Sequence, residues 1–473
     1  MGSKPMRHLY LMRHAKAKQP SGDMPDHERP LSQRGKRQAA AMAHVLLRWQ
    51  ALEGEIYVSS AARTRETFDQ LAEQLPANNL ANQVHVDEGL YTFEGEALLA
   101  WLKALPNEAS RVLIIGHNPA LPELARWLNK QVPYSLPTAG LLHFTLPDTP
   151  WSGVEPGSAE WLGRLTPEEA SYPLFQRLAP KLPSQGDTET ASRIYNALAH
   201  QYLMIRALEP GVIAGIDPEF LHQYRVNLRR SRAIGESVHS ITKMPSITKV
   251  PSITKVPSLK QMLKRLKQRA QATSELRDLD VLLNHLSETP PPLSAGTRKS
   301  LQQWLLRYQR VQHQTLCQQI SAPVYAEEMQ GWQAFIAADD VGKALAKLTP
   351  KRIKAVLAER IARHNDELAA LSLDSPDTAF HELRKRVKRI RYVADLNPAS
   401  PQRLLSDLKC RQRLLGDYQD VCTRQTWVEA FIASPDIESD QKQECETWRN
   451  ALEAQKQRLR EDVIALAPLK VRF

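Results

Sequence analysis

Two histidines and two arginines stand just past the ends of short apolar runs. Arg13 and His14 follow the run at 8–12, Arg63 comes soon after 56–58, and His117 follows 112–115. Such runs read as strands, and open α/β sheets bind their ligands beyond the carboxyl ends of strands. Arg63 also falls near the start of a helical pattern, where free N–H groups and the helix dipole favour an anion. The four side chains are therefore expected to meet at one edge of one sheet.

A second pattern lies farther along. His222 is followed at +3, +7, +8 and +10 by Arg225, Arg229, Arg230 and Arg232, and His381 at the same offsets by Arg384, Lys388, Arg389 and Arg391. On a helix, offsets 0, +3, +7 and +10 share one stripe. The opposite face carries Tyr224, Leu228 and Ser231 in one copy and Leu383, Val387 and Ile390 in the other. Like charges at this spacing repel, so the stripe is a poor arrangement for stability alone. A bound polyanion would relieve the repulsion.

The elements that must position these residues differ between the two parts of the chain. Up to about residue 165, apolar runs at 8–12, 56–58, 84–86, 112–115 and 141–146 alternate with helical patterns at 34–49, 64–75, 95–105 and 122–128. That alternation predicts an α/β layered domain with a mainly parallel sheet, and 160–165 reads as a closing edge strand. Residues 166–187 hold four prolines and read as a linker. Beyond Thr188 apolar residues recur at three and four, which predicts helices broken near 210–218, 289–292, 323, 375–377, 397–401 and 434–436. The segment 276–281 (LRDLDV) resembles 415–421 (LGDYQDV), downstream of each basic stripe. The helical part is thus an internal duplication. Its first copy holds three hexads, SITKMP, SITKVP and SITKVP, over 240–257. Proline every six residues forbids a helix there, so the hexads read as an exposed, extended insertion in a loop between two helices.

Composition sets the frame. The 473 residues carry a formal net charge of +11, and 32 prolines outnumber 19 glycines. Residues 1–188 hold 19 Lys+Arg against 20 Asp+Glu, whereas 189–473 hold 44 against 32, so the basic excess belongs to the helical part. That excess points to a polyanionic partner, with a merely solvated basic surface as the alternative. Four cysteines without C-x-x-C spacing argue against a disulfide framework or a zinc site and fit a reducing compartment. No apolar run approaches the ~20 residues needed to span a bilayer, and the first six residues hold no signal core. A cytoplasmic location without membrane contact is the expectation.

The first 165 residues resemble the histidine phosphatase superfamily, in its small SixA-like phosphohistidine phosphatase branch. The resemblance rests on Arg13-His14-Ala15, on Arg29-Pro30-Leu31 followed by Arg34-Gly35, on 59–67, on Gly116-His117-Asn118-Pro119 and on Pro137-Thr138-Ala139-Gly140. It implies a phosphoglycerate-mutase-like sandwich in which His14 is the nucleophile and becomes a covalent phosphohistidine that water hydrolyses. Arg13, Arg63 and His117 would ring the phosphoryl oxygens, with Arg29 joining them or forming a loop salt bridge. Such fixed positive charge requires no metal and no cofactor. Glu88 lies where larger relatives place a proton donor, and is otherwise a surface carboxylate. Ser60 stands where the family usually has proline. His8, His44 and His143 have no evident partners and read as structural.

Residues 188–473 resemble the CHAD domain, the conserved-histidine α-helical domain, through 220–232, 276–281, 379–392 and 414–421. The resemblance implies a bundle of two pseudo-equivalent halves that binds inorganic polyphosphate. Carried over position by position, the binders would be His222, Arg225, Arg229, Arg230 and Arg232, with His381, Arg384, Lys388, Arg389 and Arg391. Lys260, Lys264 and Lys267 either extend that surface or form a solvated face. Asp280 and Asp420 would pair with the cations or cap helices. Nucleic acid is the less favoured ligand, because single-strand binders interleave aromatics for base stacking and these stripes have almost none. The expected organisation is a phosphatase domain at 1–170, a linker at 171–187 and a CHAD domain at 188–473. It would act on a phosphorylated protein or a small phosphate ester while docked on polyphosphate or polyphosphate granules. Polyphosphate as the substrate, and a non-enzymatic binding scaffold, are the other readings.

Overall fold

The computed structural model describes residues 6–20, 22–80, 83–183, 190–242, 258–338, 341, 345, 349–396 and 400–470. The chain divides into two compact units, Met1–Ala179 with Pro210–Asp217, and Pro180–Glu209 with Pro218–Phe473.

The first unit is built on six strands: β1 (Met6–Arg13), β2 (Glu55–Ser59), β3 (Val84–Asp87), β4 (Arg111–Gly116), β5 (Leu141–Pro147) and β6 (Glu160–Leu165). They form one sheet in the order β3-β2-β4-β1-β5-β6. β3, β2, β4 and β1 run parallel, and β5 and β6 close the edge antiparallel. Alternation along each strand splits the core. Tyr10, Met12, Ile56, Val58, Leu113 and Ile115 pack under α1 (Gln33–Arg48) and α2 (Ala62–Glu73). Leu9, Leu11, Val112, Ile114 and Phe144 pack under α3 (Gly95–Lys103) and α4 (Ala120–Leu128). Because both faces are buried, the central strands read as continuous apolar runs.

One close approach ties α1 to the exit of β1. The Ser32 side chain caps the helix by accepting from the Gly35 N–H, as N-cap serines do. A Cβ at Gly35 would lie 2.2 Å from the Lys16 carbonyl oxygen, so only glycine lets the helix begin this near the strand end. The stretch expected as linker begins as ordered structure. Two single turns, α5 (Pro167–Ala170) and α6 (Tyr172–Phe175), bury Ala170, Leu174 and Phe175. Each has proline in its first turn, where the missing N–H costs nothing.

The remaining described elements are helices: α7 (Thr190–Ala214), whose residues from Pro210 on belong to the first unit, and, in the second unit, α8 (Pro218–Thr242), α9 (Leu259–Ala272), α10 (Ser274–Glu288), α11 (Ala295–Ser321), α12 (Pro323–Ile336), α13 (Pro350–Ala369), α14 (Asp377–Leu396), α15 (Gln402–Ile432) and α16 (Ser439–Ile464). The break falls at 215–217, inside the expected 210–218, and Pro210 itself stays within the helix. Pro210 forfeits one backbone bond, but Leu208 and Val212 beside it are buried and the helix continues. The reversal needs left-handed backbone, which Gly215 supplies at φ +61°. The duplication is visible as α8, α9–α10 and α11 against α14, α15 and α16. The second copy uses one 31-residue helix where the first is interrupted at Thr273. The hexads begin in the last turn of α8, at 240–242, and beyond Thr242 they lie outside the described residues. Among the described residues no helix is long and apolar enough to cross a membrane.

Candidate functional site

The carboxyl end of β1 passes directly into the site. The His14 N–H donates to the Gly116 carbonyl at 3.1 Å, and the Ala139 N–H donates to the His14 carbonyl at 3.1 Å, so the backbone at His14 is held from both sides. The His14 ring places Nδ1 2.8 Å from the Ala15 carbonyl oxygen. A carbonyl only accepts, so Nδ1 carries the hydrogen and Nε2 keeps its lone pair. Burial lowers the His14 pKa to about 4, with the charges of Arg63, Arg13 and Arg29 adding to the effect against the Ala15 bond. The ring is therefore neutral near pH 7.

His117 lies 5.3 Å from His14 between ring centroids. Its Nε2 is 2.7 Å from Ser59 Oγ, at the end of β2, and its buried Nδ1 has no partner among the described residues. Burial, then the charges of His14 and Arg63, take its pKa to about 3. Arg13 donates to the Leu136 carbonyl at 3.0 Å, which also accepts from Asn118 Nδ2 at 2.9 Å. Arg63, in the first turn of α2, is 3 % exposed and donates to the Asp26 carbonyl oxygen at 2.6 Å and to Asp26 Oδ2 at 2.9 Å. Asp26 also accepts from Arg29 at 2.6 Å and from the Tyr91 hydroxyl at 3.1 Å. Burial works against it, but these bonds and the Arg63 charge hold Asp26 below the usual carboxylate range.

In the second unit the +3 and +7 positions of the two basic stripes turn toward each other. Lys388 is 9 % exposed, and its surroundings include Arg384 on its own helix, Arg225 and Arg229 of α8, and Asp420 of α15. Burial and these cations lower its pKa to about 6. Burial likewise lowers Arg384 and Arg225, to about 10 for Arg225. Arg225 has a structural task besides: it donates to the Ala270 carbonyl at 3.0 Å and to Thr273 Oγ1 at 2.6 Å, closing the interruption between α9 and α10. His222 is half-buried near Arg225, Arg229 and Arg277. His381 Nδ1 donates to Gln419 Oε1 at 2.6 Å. Four predicted binders are engaged elsewhere. Arg232 pairs with Glu236, and Arg391 donates to Gln412. Arg230 is exposed and acts with Arg391 on Asp395. Arg389 lines a separate cavity with Arg360, Arg363 and Arg386.

Residues 9–94 match the histidine phosphatase superfamily (branch 1), and residues 196–429 match the CHAD domain family. The chain joins a histidine phosphatase domain to a CHAD domain. An uncharacterized protein of Mycobacterium leprae is 27% identical over 161 residues, 32% of this chain and 95% of its own. A SixA protein histidine phosphatase solved with tungstate shares 24% identity, covering 34% of this chain and 97% of its own, at a TM-score of 0.29. The CHAD domain of Ricinus communis shares 18% identity, covering 62% of this chain and 98% of its own, at a TM-score of 0.48.

Within the phosphatase domain, Glu88 is exposed and, among the described residues, reaches the cluster through Ser60, which donates to its Oε2 at 2.8 Å. Arg29 does form a loop ion pair, and Asp26 passes that pair on to Arg63. Asp26, His27 and Tyr91 escaped the sequence reading. The only local signal was Asp26 three residues before Arg29, and nothing in it points to Arg63. His8 and His143 bond each other at 3.0 Å, with Tyr10 stacked on His143 at 4.2 Å, and His44 is exposed. In the CHAD domain, Lys260, Lys264 and Lys267 form an exposed face of α9. Asp280 caps no helix, and among the described residues it has no ion pair within 4 Å, although the charges of Arg277 and Arg225 act on it. It sits within α10, accepts from Gln309 at 2.7 Å, and burial raises its pKa to about 6. Asp278 is the residue that faces Asp420, in a cavity shared with His285, Thr423 and Arg424. Among the described residues no set of three or more His, Cys, Asp or Glu side chains gathers as a metal site.

Proposed function

We propose that the chain hydrolyses phosphate from a phosphorylated protein or a small phosphate ester through His14, and that its CHAD domain holds it on inorganic polyphosphate. One observation carries the catalytic part: the Ala15 carbonyl fixes the His14 tautomer with Nε2 unprotonated, beside Arg13, Arg63 and His117. Nε2 attacks phosphorus, the leaving group departs, and a phosphohistidine forms. Arg13 and Arg63 draw the phosphoryl oxygens, for which Arg63 releases Asp26. His117 sits opposite His14, and its free Nδ1 accepts or donates a hydrogen bond as charge shifts. Water then cleaves the P–N bond. The cations supply the charge that a metal would otherwise bring, so chelators are expected to leave the rate unchanged.

For the CHAD domain, the charge of Arg229 stands close enough to depress the protonation of Arg225, Arg384 and Lys388. A phosphate chain would offset that repulsion, and tethering raises the local concentration of phosphorylated species around the enzyme. Phosphate release from phosphohistidine protein, simple esters and polyphosphate, by wild type and His14→Ala in parallel, tests the catalytic reading. Release that His14→Ala leaves intact would refute it. Equilibrium binding of long-chain polyphosphate by the full chain, with RNA and DNA as competitors, tests the other. Equal displacement by nucleic acid would refute the preference.

A further inference from the structure

The phosphatase domain contains a hydrogen-bonded chain that the steps above leave unused. His27 Nε2 lies 2.8 Å from Ser60 Oγ, and Ser60 Oγ lies 2.8 Å from Glu88 Oε2. A hydroxyl has one hydrogen, and a carboxylate only accepts, so Ser60 spends its hydrogen on Glu88. The bond between His27 and Ser60 must then use a hydrogen on His27 Nε2. The order is His27 Nε2–H to Ser60 Oγ, then Ser60 O–H to Glu88. Ser60 is 6 % exposed, so water is kept from the middle of the chain. Proline at this position would have no hydroxyl to join the two ends.

The other nitrogen of the His27 ring, Nδ1, is not spent on this chain. It makes no hydrogen bond among the described residues. The ring stands edge-on to Tyr91 at 4.8 Å, and Tyr91 stands edge-on to His117 at 5.4 Å. A charge on His27 is felt at His117. His27 is thus an electrostatic neighbour of the cluster, while Glu88 is one relay behind it.

We infer that His27 is the proton donor to the leaving group, that Ser60 and Glu88 are positioning residues behind it, and that the substrates are alkyl phosphate esters. This rests on His14 being the nucleophile. Nitrogen leaving groups and activated phenols depart with little help, whereas an alkoxide needs a proton as the bond breaks. In the first step His14 Nε2 bonds to phosphorus, the P–O bond to the alkyl group breaks, and the Nδ1 proton of cationic His27 passes to the departing oxygen. His27 keeps its Nε2 hydrogen on Ser60 throughout. In the second step water bonds to phosphorus, its proton returns to His27 Nδ1, and the P–N bond to His14 breaks. The carboxylate of Glu88 steadies the cationic ring through Ser60.

The test compares glycerol phosphate with 4-nitrophenyl phosphate on the full chain. His27→Gln should lower kcat/KM for glycerol phosphate by about 10²–10⁴-fold, the usual share of a general acid, and for 4-nitrophenyl phosphate by only about tenfold. Ser60→Ala and Glu88→Gln should shift the same ratio less, and add nothing to His27→Gln in double variants. Because the readout is a ratio within one variant, a fraction of unfolded protein does not move it. Equal losses on both esters would overturn the inference, as would a selective loss in Glu88→Gln with none in His27→Gln. Wild type that cleaves the aryl ester but not glycerol phosphate would overturn the substrate class. If His14→Ala hydrolyses the aryl ester as fast as wild type, the underlying reading fails as well.

Discussion

At the scale of single residues, the environment of His14 decides how the site responds to acid. An ordinary histidine would begin to lose its lone pair below pH 6.5, but burial and three arginines hold His14 to about 4. Its folded pKa is below the unfolded one, so the neutral form is favoured on folding. That contribution to stability is complete above about pH 6.5 and is lost as pH falls toward 4. The acid limb that His14 imposes on kcat/KM should accordingly fall near pH 4, measurable with 4-nitrophenyl phosphate across pH 3.5–8. Arg63→Ala removes a buried cation from the phosphoryl pocket and should cost about 10²–10³ in kcat. Lys388 works with the opposite sign. At pH 7.5 it is largely neutral, since its pKa lies about 6, and a polyanion favours the charged form. Polyphosphate should therefore bind the full chain more tightly as pH falls toward 6, with proton uptake at pH 7.5 in calorimetric titrations run in buffers of different ionisation heat. Affinity independent of pH would remove Lys388 from the binding set.

At the scale of elements, two close approaches carry the argument. The start of α1 lies against Lys16, two residues from His14, because Gly35 has no side chain to intervene. Gly35→Ala must push the helix or the strand exit aside. It should cost about 1–3 kcal/mol in urea unfolding and lower kcat together with stability. The cations of α8 divide between two jobs. Arg225 closes the α9–α10 interruption, so Arg225→Ala should destabilise the CHAD domain by about 1.5–3 kcal/mol. Arg229 weighs on Arg225, Arg384 and Lys388, and none of its own bonds appears among the described residues. Arg229→Gln should then raise stability by roughly 0.5–2 kcal/mol while weakening polyphosphate binding. Thermal unfolding and binding of the same variant, moving in opposite senses, would separate a ligand site from a structural one.

At the scale of the whole molecule, charge is allotted to one part and chemistry to the other. The near-neutral phosphatase domain holds Arg13 and Arg63 at one sheet edge, and the CHAD domain holds the net excess. If the excess serves a phosphate chain, binding should weaken steeply with salt, since counterions are released on contact. Hydrolysis of a small ester, which needs only the pocket at His14, should respond far less to the same salt. Strands 1, 2 and 4 and their helices were legible in the sequence because each is a local pattern. The placement of Arg13, His14, Arg63 and His117 follows from them, since a parallel sheet brings the carboxyl ends of its strands to one edge. The turns at 167–175 and the extension of α7 through Pro210 were not legible. Both are set by what lies buried against them, and proline counts alone do not report that.

By itself, the sequence determined the two folds, the duplication and the residues at the strand ends, because periodicity fixes which face of an element is apolar and where the element stops. Tertiary structure alone decided which faces meet. It set Asp26 against Arg63 across 37 positions, bridged His27 to Glu88 through Ser60, and gathered Arg225, Arg229, Arg384 and Lys388 while sending Arg232, Arg389 and Arg391 elsewhere. Helical spacing gives a side chain its direction around its own axis. What stands opposite depends on how distant segments pack, and local pattern carries no record of that.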